Sequence, residues 1–265
     1  MIHNINETFD NQYKKVAPSD NDILIYIKDA NILINCDNNT ITYPTVGEAA
    51  SVHEYLFSIG EKSYFSGLIE ENEKFSFHNI RELRNLSPKT AVFAGICAYH
   101  ISSWYEGNRC CGKCGSPMKH SKTERAMICT CGNIIYPKIC PAVIVAVKNN
   151  DKILMTKYNT GYAHWALVAG YNEVGETIEE TVHREVYEET GLKVKNLKYY
   201  KSQPWGLSSS LLFGFVCDID GDDTIRIDNV ELKEGRWFHR NDISFNNDDF
   251  SLTREMIDAF KNNRL

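Results

Sequence analysis

Between residues 21 and 77, apolar and polar positions alternate in short runs: ILIYI, NILIN, EYLFSI, YFSGLI and KFSFH, broken by Asn, Asp and Gly. A period of two over a few residues marks strands with one buried face, so this part predicts a small β-rich domain. The period lengthens in SPKTAVFAGICAYHISSWYEG, which predicts a helix over 88–105 with Ser87 as N-cap and Gly107 at its stop. A cysteine-rich stretch over 110–137 follows, and from Pro141 the strands return. PAVIVAVKNNDKILMTK reads as a hairpin turning at Asn149-Asn150-Asp151, and HWALVAGYN as another strand. A helix over 177–190 comes next, closed by Gly191, the residue best suited to a left-handed C′ position. Strands in KVKNLKYYKSQPW, SLLFGFVCDI and EGRWFH and a closing helix in SLTREMIDAFKNN complete an α+β domain with a mixed sheet. The predicted domains are 1–107 (β-rich, ending in a helix), 108–138 (a cysteine module) and 139–265 (the α+β domain).

Composition narrows the function classes. The formal net charge of −6 argues against a broad basic nucleic-acid groove. It leaves room for a phosphorylated substrate, because bound divalent cations reverse the local field. The polar N-terminus has no signal-peptide core, and the run Ala142 to Val147 is too short to span a bilayer, so a cytoplasmic protein without membrane contact is predicted. Six of the nine cysteines fall between Cys110 and Cys140, a cluster that in a reducing compartment points to metal before disulfides.

The helix over 177–190 poses a physical problem. Glu185, Glu188 and Glu189 stand at i, i+3 and i+4, and like charges at that spacing destabilise a helix. Carboxylates so placed offer several oxygens from one rigid element, the donor set that hard divalent cations require. Glu173, Glu179 and Glu180 read as solvated charges, Arg184 as a brace for its neighbours, and Gly170 as the residue that lets the chain leave the strand sharply. Gly170, five residues, Glu176, seven residues, then Arg184-Glu185-Val186-Tyr187-Glu188-Glu189-Thr190-Gly191-Leu192 meets every fixed position of the Nudix box, GX5EX7REUXEEXGU. Seven fixed identities at roughly 7% background each put chance agreement on the order of one in 10⁸ per start position. The chain therefore resembles the Nudix hydrolases. The resemblance implies a Nudix fold and metal-dependent cleavage of a nucleoside diphosphate linked to another group. It gives metal-ligand roles to Glu185, Glu188 and Glu189 and to the carbonyl of Ala169, for Mg²⁺ or Mn²⁺. A later glutamate completes the cluster or acts as base. Glu231 fits that place best, with Glu234 as the alternative.

Cys111-Gly-Lys-Cys114 and Cys129-Thr-Cys131 have the look of a zinc ribbon, with Gly112 and Gly115 suited to its tight turns. The second pair is spaced C-x-C, which leaves Cys110, His120 and Cys140 as alternatives to Cys129. After the box comes Ser202-Gln203-Pro204-Trp205. With the ribbon ahead of the box, the chain resembles the NADH pyrophosphatase family, whose pattern here is SQPWPFPxS; this sequence keeps Ser210 but replaces Pro-Phe-Pro by Gly206-Leu207-Ser208. That resemblance implies substrate contacts at Gln203, Pro204, Trp205, Gly206, Leu207, Ser208, Ser209 and Ser210. It implies others at Glu124 in the ribbon and at Tyr136, which reaches a partner subunit's site. Tyr171 stacks on nicotinamide in the same scheme, Arg81 (Arg84 being nearly as good a match) contacts substrate, and Thr253 contacts the adenosine. By their strand-like apolar context alone, His164, Trp165, Trp205 and Trp237 read as structural. The implied activity is cleavage of NAD(H) to nicotinamide mononucleotide and AMP by a homodimer holding structural Zn²⁺, with NAD-capped RNA as a linked substrate. A broader dinucleotide or nucleotide-sugar diphosphatase is the second reading, and a non-catalytic nucleotide- or nucleic-acid-binding module the third.

Overall fold

The structure, a computed structural model, describes residues 1–70, 72–161, 164–227, 230–244 and 249–265. The chain divides into two compact units, one of Ile2–Lys138 with Gly206–Ser209, the other of Met1, Ile139–Trp205 and Ser210–Leu265. Among the described residues no helix is long and apolar enough to cross a membrane.

The first unit is built from the alternating runs. Strands Phe9–Asp10, Ser51–Ile59, Lys62–Leu68 and Ile23–Ile25 form one sheet, and Asn31–Asp37 pairs with Ile27–Lys28, Thr40–Thr42 and Ser76–Asn79 in another. The long helix is Lys89–Gly107, displaced from the expected 88–105. Ser87 does not cap it, because its hydroxyl donates to the carbonyl of Asn39 at 3.1 Å, and the N-cap position falls to Pro88. Gly107 is the last helical residue and not the stop; Asn108 caps the end, its side-chain amide donating to the carbonyl of Trp104 at 2.6 Å. Residues 108–138, read from the sequence as a module of their own, fall in this unit, where Trp104 packs with Cys111, Met118, Met127 and Cys129.

The second unit is arranged around strand Cys140–Asn149, whose alternate residues serve two cores. Val143, Val145 and Val147 face the acidic helix Ile178–Thr190, packing with Val182, Val186 and Leu192. Ile144 and Ala146 face the closing helix Leu252–Lys261, with Met256, Ile257 and Phe260. A sheet between two helix layers results, as the period of two requires when both faces are covered. The central strand runs parallel to Ser210–Ile219, from Cys140 opposite Ser210 to Lys148 opposite Asp218. It runs antiparallel to Lys152–Tyr158 and to Val168–Tyr171. Strand Val194–Trp205 closes one edge and Leu232–His239 the other. The hairpin turn comes where expected, with Asn150 at φ 53°. HWALVAGYN is strand only over Val168–Tyr171, and His164 lies outside it, exposed.

Magnitudes explain why the acidic helix stays folded. Burying a valine contributes roughly 1.5–3 kcal/mol, against roughly 0.2–0.5 kcal/mol for a like-charge pair at i, i+4. Val182 and Val186 are both fully buried, so the apolar face outweighs the acidic one. The helix entry is fixed as well. Glu180, read from the sequence as a solvated charge, completes a capping box: its carboxylate accepts from the N–H of Thr177 at 2.7 Å, and its own N–H donates to the Thr177 hydroxyl at 3.2 Å.

Candidate active site and cysteine cluster

The acidic helix leaves strand Val168–Tyr171 through a loop tied down by side chains. Asn172 donates to the Thr181 hydroxyl at 2.7 Å, and that hydroxyl donates to Glu176 at 2.9 Å. Gly175, at φ 94°, makes the turn. Gly170 was expected to turn the chain, but it remains in the strand opposite Val143. Its need is for space: a Cβ built there would overlap the carboxyl group of Glu185.

Arg184 braces the cluster. Its Nε donates to Glu176 Oε1 at 2.6 Å, and one terminal nitrogen donates to Glu185 at 2.8 Å and Glu188 at 3.0 Å. The other reaches Glu176 Oε2 and the carbonyl of Tyr171, both at 2.9 Å. The guanidinium holds Glu176 well below the usual carboxylate range, at about 2. Glu176 is thus a fixed anchor for the arginine. Glu185 behaves oppositely: burial raises its pKa, partly offset by Arg184, and the charges of Glu188 and Glu231 raise it further. Glu189 is buried, whereas Glu188 is exposed. On the neighbouring strand, burial and the charges of Glu189, Glu231 and Glu185 together hold the Tyr158 hydroxyl protonated. Three glutamates therefore bear on one point. Glu234, the alternative to Glu231, faces Lys157 at 4.0 Å and also pairs with Arg236.

These donors are all hard oxygens, and concentrating them raises the cost of their charge. Such a set fits Mg²⁺ or Mn²⁺ and not a soft metal. Among the described residues, the side chains grouped closely enough to hold one ion as they stand are the thiols of Cys111, Cys114, Cys129 and Cys131, all within 4.8 Å of one another.

The thiol cluster has the dimensions of a closed zinc site. With Zn–S bonds of about 2.3 Å, the edge of a thiolate tetrahedron is about 3.8 Å. Cys111 and Cys131 are 3.8 Å apart, and Cys114 and Cys129 are 3.5 Å apart. The N–H groups of Lys113 and Cys114 lower the Cys111 thiol to about 6, favouring the thiolate a metal needs. Cys129 belongs to the cluster. Of its alternatives, Cys110 is exposed, His120 packs at a tilt against Tyr105 at 4.5 Å, and Cys140 opens the central strand. The turn glycines are Gly115 (φ 74°) and Gly132 (φ 84°), whereas Gly112, expected in that role, has no positive φ. Gly132 lets the short C-x-C pair close, because the turn is completed after Cys131 by the Cys129 N–H donating to Asn133 at 2.9 Å. Four thiols leave no open coordination position, so zinc here is expected to be structural. Cys114→Ser should release the metal and lower the melting temperature; unchanged zinc content by elemental analysis would remove Cys114 from the site.

Residues 138–260 match the NUDIX domain. The chain is 40% identical over 200 residues to the NAD-capped RNA hydrolase NudC of Shigella dysenteriae, covering 72% of this chain and 76% of that protein. It is 36% identical over 220 residues to the protein of the same name from Escherichia fergusonii, covering 80% of this chain and 84% of that one. The chain belongs to the NudC family of Nudix hydrolases. A Nudix hydrolase from Nitrosomonas europaea shares its fold, with a TM-score of 0.52 and 22% identity over 59% of this chain and 92% of that one.

Within this Nudix hydrolase, the SQPW segment is the end of a hairpin in which Trp205 stands opposite Ser210. Gln203, expected at the substrate, is instead fully buried. Its amide nitrogen donates to the carbonyl of Phe250 at 2.9 Å, and its oxygen accepts from the N–H of Leu252 at 2.6 Å. Both polar ends of its side chain thus hold the start of the closing helix. Trp205 packs edge-on against Phe250 at 5.4 Å. Gly206 lies against the long helix Lys89–Gly107: a Cβ at 206 would come within 2.7 Å of the Ile96 carbonyl. Ser210 is buried, its hydroxyl donating to that of Tyr171 at 3.4 Å. Pro204 and Ser208 are exposed, Leu207 and Ser209 half-buried. Tyr171 and Tyr136 are both exposed, and Tyr136 donates to Glu124 at 3.3 Å. Arg81 is exposed on the turn Ile80–Asn85, with Arg84 half-buried beside it, and Thr253 lies in the first turn of the closing helix. Trp165 packs on Phe238 at 4.7 Å, and the Trp237 ring nitrogen donates to the carbonyl of Asp223 at 2.9 Å, both structural uses.

Proposed function

We propose that this protein hydrolyses the diphosphate bond of NAD(H) to nicotinamide mononucleotide and AMP, and removes the same group from the 5′ end of NAD-capped RNA. The observation that carries this reading is the complete acidic helix, in a chain 36% identical to a NAD-capped RNA hydrolase over 80% of its length. Glu185, Glu188, Glu189, Glu231 and the carbonyl of Ala169 would hold Mg²⁺ or Mn²⁺. Such a cation neutralises diphosphate charge and lowers the pKa of an attacking water. Arg184 keeps Glu185 and Glu188 in place, and Glu231 takes a position from which it completes the cluster or accepts the water's proton. Water adds to one phosphorus and the bridging P–O bond breaks. Both halves leave as phosphate monoesters, with the displaced protons passing to solvent.

Tyr171, exposed beside Ser210, is proposed to stack on nicotinamide, with Tyr136 reaching the site of a second subunit in a homodimer. Glu124, Arg81, Thr253 and residues 204–210 are proposed to line the remainder of the substrate. Base–aromatic stacking is worth roughly 1–3 kcal/mol, so Tyr171→Ala should lower kcat/KM for NADH by about one to two powers of ten. A dinucleotide lacking nicotinamide should be little affected, and equal losses on both would make Tyr171 a packing residue. Gly206-Leu207-Ser208, in place of Pro-Phe-Pro, favours a second reading as a broader dinucleotide diphosphatase. Phosphorus NMR of products from NADH, NAD⁺, capped RNA and nucleotide sugars with Mn²⁺ separates the two; no metal-dependent cleavage of any of them overturns both.

A further inference from the structure

Glu231 lies in a place where the regular ladder has stopped. Strands Lys152–Tyr158 and Leu232–His239 pair in register as far as Lys157 opposite Glu234, and then shift so that Tyr158 stands opposite Leu232. The bulge leaves Lys233 without a facing residue, and Glu231 is the next residue beyond the strand. A bulge re-aims the side chains around it, and a slip by one residue would turn Glu231 to the other face. Leu232 is fully buried, but Val230 is 79% exposed and Glu231 is itself exposed, so burial of their own side chains does not fix these two positions. Two hydrogen bonds from one residue act on them. The main-chain N–H of Asn159 donates to the carbonyl of Glu231 at 2.9 Å, and its side-chain amide donates to the carbonyl of Val230 at 2.9 Å. Asn159 thus grips two consecutive carbonyls, and Glu231 is carried between them.

We propose that Asn159 is a positioning residue for the reaction: by gripping the backbone at 230 and 231, its main chain and side chain aim the Glu231 carboxylate toward Glu185 and Glu189. The inference rests on the assignment of Glu231 to the catalytic cluster. Asparagine suits the task because its amide is a donor at any working pH, while Asp or Ala could not hold the Val230 carbonyl. Residues that orient a metal ligand typically cost 10–100-fold in metal affinity or activity when changed.

The test is a double-mutant cycle on the full chain, with NADH as substrate over a range of Mn²⁺ concentrations. Asn159→Ala should raise the Mn²⁺ needed for half-maximal turnover, and the Mn²⁺ dissociation constant measured directly by electron paramagnetic resonance without substrate, about tenfold or more, with the melting temperature nearly unchanged. Asn159→Ser, which keeps a short donor, should recover part of that loss. In a Glu231→Gln background Asn159→Ala should cost nothing further, because the group it aims is already gone. An undiminished penalty in that background, or a normal Mn²⁺ requirement for Asn159→Ala alone, overturns the positioning role while leaving Glu231 in the cluster. Near-normal turnover for Glu231→Gln overturns both assignments together.

Discussion

Glu189→Gln is expected to lose about a thousandfold in turnover, the scale seen when a main electrostatic stabiliser is removed from an active site. Glu189 is 4% exposed, and its charge reaches Tyr158 together with those of Glu185 and Glu231. A buried carboxylate held among others is unfavourable for the protein alone and favourable only with a cation beside it. Glutamine keeps the shape and removes the charge, so the melting temperature measured without added metal should not fall. Glu179→Gln, on the same helix but at none of the motif's fixed positions, is the control and should be nearly silent. If Glu189→Gln retains near-normal turnover at saturating Mn²⁺, the metal-cluster assignment is wrong.

The second large effect is expected from the smallest change. Gly170→Ala adds one methyl group in a strand where backbone conformation poses no obstacle. That methyl would occupy the place of the Glu185 carboxyl group, which must then move away from Arg184. Turnover should fall by about a hundredfold, in line with the cost of misplacing a reacting group by an ångström. The circular dichroism spectrum should be unchanged, since the strand's pairing with Val143 does not involve the side chain. Full activity for Gly170→Ala would show that Glu185 works from another position.

Local pattern carried much of this to the reader of the sequence, and the reasons it stopped are physical. The acidic helix was legible because its chemistry, its apolar stripe at Val182 and Val186 and its Gly191 stop all lie within a few turns of chain. The parallel pairing of Cys140–Asn149 with Ser210–Ile219 was not, because register between distant strands is set by tertiary packing and leaves no local period. Gly170 carried a signal that was misread: a glycine after a strand suggests a turn, while its use here is a missing side chain. The capping role of Glu180 was open to sequence reasoning through the spacing Thr177-x-x-Glu180, but the repeated glutamates obscured it. Gln203 shows the opposite failure. A polar residue in a motif reads as a substrate contact, and only burial reveals that both ends of its amide are already engaged. Asn159 gave no signal, because its hydrogen bonds go to backbone atoms 70 or so positions away.

The close approach of Gly206 to the long helix limits how the loop after Trp205 can change. A proline or any larger residue at 206 would press on the carbonyl and the Cγ2 methyl of Ile96, with the Cβ of His100 next at 3.3 Å. A Pro-Phe-Pro segment therefore cannot replace Gly206-Leu207-Ser208 in this chain by itself. The loop and the turn of helix around 96–100 have to be exchanged together, because a side chain added at 206 alone is a step into a clash.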